Sequence, residues 1–428
     1  MHFGVCGLKR LASIGLVLVL ASLILSCGSS SSKTTSSGLP FRVFVSQDVS
    51  VPVSTAFPAG VPPGLFIIDA IHDLLSPTTV QTSNLPGQLF LSQNKKITLA
   101  VGVTDNTVSI IDNSTETSSG KVALPGPTSS IVISPDASTA YAAVINAPVV
   151  GQPPGAVIVI NLIGSGSLPF TISVPGARYV AESHNGNRVL VFSDNSDTIT
   201  AIATADIVTS VDARILVPGF DRPVAAFFTS DDSTAYVLNC GPECGGRAAG
   251  MQMLDLTTNQ PVGAPIPVDA ATVGLLNGNT LYVAGTPPTS PANNCTGTAT
   301  AATTCGRLDV VNLGSMVVAS RQVITDGYHN RIDLSSNGQL FIGAQNCTNI
   351  SNGTEVRGCL SIFNTVNPAV VIPPQNGNVT GVQAISNRNV VYVVQDAQLQ
   401  IYDTTIDKLG LIQITLRGEM VDVKQVDF

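Results

Sequence analysis

The sequence predicts an all-β chain folded as a β-propeller, eight four-stranded antiparallel blades set radially around a channel, with a seven-bladed ring as the alternative. Three observations carry this expectation. A hairpin pattern recurs, as in "SSIVISPDASTAYAAVIN" from Ser129 and "VAAFFTSDDSTAYVLN" from Val224; four strand-like elements follow one another always in one order; and no stretch beyond the first residues has a sustained helical period.

The first element, a, is an apolar strand ending in a polar turn, and eight copies begin at Gly87, Ser129, Ala177, Val224, Ala271, Asn330, Gly381 and Met420. Element b follows within a few residues as a β-branched or aromatic strand, again in eight copies, at Arg42, Ile97, Ala140, Arg188, Ala235, Leu281, Leu340 and Val391. Element c is an alternating strand closed by a short polar residue at Asp69, Asp112, Asn161, Asp255, Asn312, Asn364 and Asp403; the copy at Thr198 lacks that ending at Ala203. Asp and Asn suit the place because their side chains bond backbone groups just ahead and tolerate the left-handed conformation. Element d is weaker, as at Ser119, Pro169, Ala213 and Leu411.

A four-stranded meander repeating at about 42 to 58 residues has two apolar faces, and a radial arrangement lets each face cover its neighbour's. The series begins at b ("RVFVSQ") and ends at a ("MVDVKQVDF"). One blade must therefore be shared between the two ends of the chain, and residues 41–428 form the propeller domain.

Before that domain, Met1–Ser26 has the layout of an export signal, with Lys9 and Arg10 ahead of an apolar run from Leu11 to Leu25. The run ends in "ILSC", Ile24 to Cys27, which resembles the lipobox of bacterial lipoproteins. That resemblance implies lipidation at Cys27, with a palmitate-bearing anchor in the outer membrane, and residues 27–40 with their serine-rich stretch as a tether. An ordinary secretory signal with a chance cysteine is the alternative.

Without residues 1–26 the chain holds eighteen basic and twenty-eight acidic residues, a net −10. Such a body has no clustered Lys and Arg for nucleic acid or an anionic lipid surface. There is no Trp, no Gly-rich phosphate loop and no His, Asp and Glu cluster at metal spacing. No cofactor is expected, and a monomer is.

Paired with a "YV" strand and a strand ending in Asp, the turns Ser134–Asp136 (with Tyr141), Ser230–Ser233 (with Tyr236 and Val237) and Ser335–Gly338 (with Phe341) resemble YVTN-type repeats, relatives of WD40-like and lactonase-like propellers. The resemblance implies blade architecture, usually with seven blades, and leaves function open.

Cys240, Cys244, Cys295, Cys305, Cys347 and Cys359 remain besides Cys6 and Cys27. Six cysteines allow fifteen pairings. The repeat map selects three disulfides, each inside one b-to-c connection: "CGPEC", "CTGTATAATTC" and "CTNISNGTEVRGC". An export signal places them where disulfides persist, and zinc is the rival reading.

Of the histidines, His72 and His184 fall in surface turns. His329 and Arg331 lie in "DGYHNR", where d passes into the next a, and Arg178 and Arg222 occupy the equivalent junctions of two other blades. These four are candidate ligand-binding residues, read either as solvated strand caps or as a basic ring for an anionic group. The long b-to-c loops, Asp48–Gly64, Asn146–Gly155, Cys240–Gly250, Thr286–Gly306 and Asn346–Gly358, share their face with these junctions. Loops of that length are usually functional or disordered, and disulfides argue against disorder. The expectation is a non-enzymatic, envelope-anchored propeller that binds a protein or envelope component through this face. The alternative is a lactonase-like hydrolase working at the channel mouth, although no complete catalytic set accompanies these residues.

Overall fold

The structure is a computed structural model that describes residues 37–48, 63–82, 85–163, 170–206, 214–288, 305–348, 350–351 and 356–427. The signal peptide, Cys27 and most of the tether lie outside the described residues, as does Cys295.

The described residues form eight four-stranded antiparallel sheets, each a blade in the order a, b, c, d. The inner strands are Pro86–Leu91, Ser130–Ile133, Ala177–Glu182, Pro223–Phe228, Val273–Asn277, Tyr328–Leu334, Val379–Ala384 and Met420–Gln425. Among the described residues helix is confined to two short 3-10 turns, Thr204–Asp206 and Gly241–Cys244, and the first of these follows the copy of c that lacks its Asp. The ring has eight blades and not seven. It closes where the sequence places the closure: Met420–Gln425 pairs with Arg42–Gln47, setting Val43 opposite Gln425 and Val45 opposite Val423. The shared blade, here blade 1, is completed by Gly64–Asp69 and Leu74–Gln81, and the remaining blades are numbered 2 to 8 along the chain.

The apolar residues are buried between blades, not on the ring axis. Leu99, Val108 and Ile110 of blade 2 pack on Ala140, Val144 and Ile158 of blade 3, and across the closure Val43, Val45 and Phe66 meet Tyr392, Val394 and Ile401 of blade 8. Both faces of a blade are thus covered, as the continuous apolar runs of b and c require.

Local hydrogen bonds explain the repeated turn signature. In "SPDAS" the Ser134 hydroxyl donates to Asp136 Oδ1 at 2.6 Å, the Ser138 N–H donates to the same oxygen at 3.0 Å, and the Thr139 N–H returns to Ser134 Oγ at 3.0 Å. Thr229, Asp231 and Ser233 repeat the pattern at 2.6 and 3.1 Å. At the ends of c, Asp112, Asp255, Asn312 and Asp403 each accept the N–H two residues on, at 2.7 to 2.9 Å. The left-handed residue is not the Asp or Asn itself but the fourth one after it: Glu116, Asn259, Met316 and Asp407 have φ of 53° to 56°.

One strand expectation is corrected. "LIQITLRG" from Leu411 is not the outer strand of blade 8, which is only Lys408–Leu409. After Gly410 donates to the Ile401 carbonyl the chain leaves the ladder. Leu411 is fully exposed and Ile412 half exposed, while Ile414 and Leu416 turn in to the core between the last and first blades. Burying those two side chains replaces strand pairing there and leaves a cavity of about 250 Å³ beside Gln398–Ile401.

Candidate functional site at the channel mouth

The b-to-c loops and the d-to-a junctions do share one face, because the strands of each blade alternate in direction. The Cys240 N–H donates to the Arg222 carbonyl at 2.9 Å, and the Thr348 N–H donates to Asp326 Oδ1 at 2.8 Å. Two of the three expected disulfides are present, Cys240–Cys244 and Cys347–Cys359. Cys305 is also disulfide-bonded; the proposed partner, Cys295, lies outside the described residues.

The first of these disulfides builds the site. Asp221, in the junction ahead of blade 5, accepts the Arg247 and Ala248 N–H groups at 2.9 and 2.8 Å, which holds the "CGPEC" loop against the ring. Glu243 of that loop then lines a pocket of about 270 Å³ together with Arg178, Tyr179, Arg222 and Tyr328. Its Oε2 accepts the Thr286 N–H at 2.8 Å. Burial pushes the carboxyl up to about 7, against the lowering effect of that hydrogen bond.

Arg178 and Arg222 stand at the mouth as expected, but each faces an acid. Arg178 holds both oxygens of Asp194 at 2.9 Å and donates through Nε to the Tyr179 hydroxyl at 3.0 Å. Arg222 has φ of 55°, and its Nε lies 3.8 Å from Asp197 without a hydrogen bond. The mouth is therefore mixed in charge, not a basic ring. Below it the Tyr179 and Tyr328 hydroxyls meet at 2.6 Å across the ring, from blades 4 and 7. Burial raises the Tyr328 pKa, so the bridge is a neutral one.

His329 does not belong to the mouth. It is 0% exposed, wedged where Gly306 and Thr325 leave room, and neither ring nitrogen finds a hydrogen-bond partner in good geometry. Its place follows from strand alternation: Tyr328 points to the channel and the next residue points into the seam between blades 6 and 7. Burial pulls its pKa down to about 4, although the Thr325 carbonyl and Asp326 favour the proton. Arg331 lies further along the same strand, facing the channel, where its Nε donates to the Thr380 carbonyl at 2.5 Å and Nη1 to the Asn330 carbonyl at 2.9 Å. His72 and His184 are more than half exposed and pair with Asp69 and Asp232. Among the described residues no group of three His, Cys, Asp or Glu could hold a metal ion.

Glu243 was not singled out from the sequence. Its one signal was a carboxylate inside a five-residue disulfide loop, and nothing in the sequence says that the loop folds over the channel.

One buried group and one half-buried group predict how stability varies with pH. The unfolded chain takes up the His329 proton near 6.5 and the folded chain only near 4, so stability is lost as pH falls through that window. Glu182 works in the opposite sense: burial, with Asp136 nearby, raises it to about 8 from 4.5, so stability is lost as pH rises through that range. His329→Leu should flatten the acid limb of urea midpoints measured from pH 4 to 9, and Glu182→Gln the alkaline limb. Unchanged limbs in both variants would contradict the assignment.

No family model matches the sequence, and no curated protein matches it. Solved structures do match the fold. The dihydro-heme d1 dehydrogenase NirN in complex with DHE aligns at TM-score 0.61 and 12% identity over 91% of this chain and 75% of that one. The β-propeller domain of Myceliophteria thermophila Cps50 (Swd1) aligns at 0.51 and 12% over 74% and 95%. A putative 6-phosphogluconolactonase from Bacteroides uniformis aligns at 0.50 and 12% over 90% and 99%. At such identities the likeness is one of fold, and the chain is a β-propeller with eight blades.

Proposed function

We propose that this protein is an exported propeller, lipid-anchored through Cys27, that binds a protein or envelope component on the face bearing its crosslinked loops. The observation that carries this reading is the pocket in which a disulfide loop holds Glu243 beside Arg178, Arg222 and Tyr328. Disulfides suit a protein folded in an oxidising compartment. Val150, in the loop of blade 3 on the same face, is fully exposed, whereas turns of the opposite face such as Ser134–Thr139 and Thr229–Thr234 close on their own hydrogen bonds.

A photocrosslinking residue placed at Val150 or Pro242 should trap the partner in the native envelope, and one placed at Gln93 in an opposite-face turn should not. Combining Arg222→Ala with Glu243→Gln should weaken capture at least tenfold. Equal trapping from both faces would overturn the reading.

A lactonase-like hydrolase is the second reading, favoured by one feature: a carboxyl that burial pushes up to about 7 lines one pocket with two arginines, the pairing of general base and anion stabiliser that acyl hydrolysis uses. On that reading Glu243 is the base and His329 has no part. Lactone turnover that rises as pH passes about 7 and disappears in Glu243→Gln would favour it over binding alone.

A further inference from the structure

Beneath the tyrosine bridge the channel opens into a cavity of about 510 Å³, within the size range of small-molecule sites. Its two sides differ. Val224, Ala225, Ala226 and Phe227 of blade 5 and Val273 of blade 6 make an apolar wall, while Gln88, Ser129, Asn330, Arg331 and Gln345 make a polar one. On that polar side Arg331 spends its hydrogen bonds on two backbone carbonyls, and among the described residues it has no ion-pair partner. The other arginines of the mouth face acids; this one does not. A half-buried guanidinium keeps its charge, and a charge held out of bulk water without a counter-ion favours an incoming anion. A second, independent observation marks a ligand position beside it: the adjacent Asn330 has a side-chain oxygen that is buried and accepts no hydrogen bond, a place for a donor group on the same ligand.

The lining edges add to this. An inner strand pairs only with its own b strand, so its other edge faces the channel. Elsewhere around the ring side chains cross to these edges: Ser130 Oγ accepts the Val180 N–H, Asp422 accepts the Leu89 N–H and Asp333 accepts the Ala384 N–H, at 2.7 to 3.0 Å. Among the described residues no side-chain hydrogen bond reaches the backbone of Val224–Phe227 or Val273–Gly274, so the apolar wall stays open to the cavity.

We propose that this cavity binds a small organic anion, its charged group on Arg331, a hydroxyl or amide donor on Asn330, and its apolar body against the wall of blades 5 and 6. Entry from the mouth passes the Tyr179–Tyr328 bridge, which lines both spaces. The cavity adjoins the mouth pocket and shares Arg178, Tyr179, Val224 and Tyr328 with it, but Arg331 and Ser129 line only the cavity and Arg222 and Glu243 only the pocket, so either reading can fail without the other.

Calorimetric titration of the whole exported chain with benzoate, mandelate, phenyl phosphate and uncharged benzyl alcohol tests it. Saturable one-to-one binding of an anion, absent for benzyl alcohol, should fall at least tenfold in Arg331→Gln and be partly kept in Arg331→Lys. A preference for phenyl phosphate over the carboxylates would assign phosphate esters to the same site. Ser129→Phe fills the cavity from an exposed position without touching the Arg331 bonds, and it should abolish binding with the thermal midpoint unchanged. The proposal is overturned if no anion of the panel saturates the wild type, or if affinity survives both Arg331→Gln and Ser129→Phe.

Discussion

Deleting residues 421–428 should abolish cooperative folding. The segment supplies most of the inner strand of blade 1, and Asp422, Val423 and Val426 are each no more than 2% exposed. Its loss removes the partners of Val43, Phe44 and Val45 and leaves only Gln47 opposite Met420, and an unpaired buried edge leaves backbone groups without partners. It also removes Asp422, whose Oδ2 accepts the Leu89 N–H of blade 2 at 3.0 Å, and Gln425, whose Oε1 accepts the Ser386 N–H of blade 8 at 2.8 Å, and so cuts the ring on both sides of blade 1. A propeller buries its core between blades, so an opened ring exposes apolar faces that no neighbour can cover. The deleted chain should show a broad, non-cooperative thermal transition in far-ultraviolet circular dichroism. A sharp transition at the wild-type midpoint would show that the ring closes elsewhere.

The second large effect is expected at Arg42, the first residue of the closing b strand. Its guanidinium, 5% exposed, donates to both oxygens of Asp427 at 2.7 and 2.8 Å, to Glu116 at 2.7 Å and to the Asn113 carbonyl at 2.7 Å. Burial works against its charge, but the hydrogen bonds to Asp427 and Glu116 outweigh that and hold the proton more firmly than usual. One side chain thereby ties the start of the domain to its last residues and to blade 2. Arg42→Ala takes the Arg42 guanidinium away from the Glu116 carboxylate, which is 0% exposed. Removing one partner of such a pair costs about 3–5 kcal/mol. Urea unfolding should register that loss at unchanged m-value. Adding Glu116→Gln to Arg42→Ala should recover part of it, because the buried charge is then gone. A loss below about 1 kcal/mol would put the cluster in the class of exposed ion pairs.

Much of the architecture was legible because its signals are short-range. The short apolar runs "ITLAVG" and "TVSIID", buried along nearly their whole length, mark strands covered on both faces, and several of the polar turns after the a strands close through hydrogen bonds spanning five residues, as Ser134 to Thr139 shows. Cysteine pairs separated by 4 and 12 residues could be assigned because each lies within one connection. The last d strand was misread for the same reason that the others were read: "LIQITL" alternates, and alternation alone does not say whether the alternate side chains are buried by a ladder or by a loop lying on the core.

From the order of its repeats alone, the sequence determined the blade unit, the count of eight and the closure of the ring by its two ends. It placed Arg178, Arg222 and Arg331 at the channel, since a junction's position in a blade is set by local strand order. Only the tertiary structure decided what those residues meet. Asp194 and Asp197 offset two of the arginines, the Tyr179 and Tyr328 hydroxyls meet although 149 residues separate them, and His329 turns into a seam while its neighbours face the channel. Such contacts depend on how far each blade is rotated about the axis and which face of an inner strand looks inward. Those quantities are set when eight apolar interfaces pack at once, and no single segment of the chain encodes them.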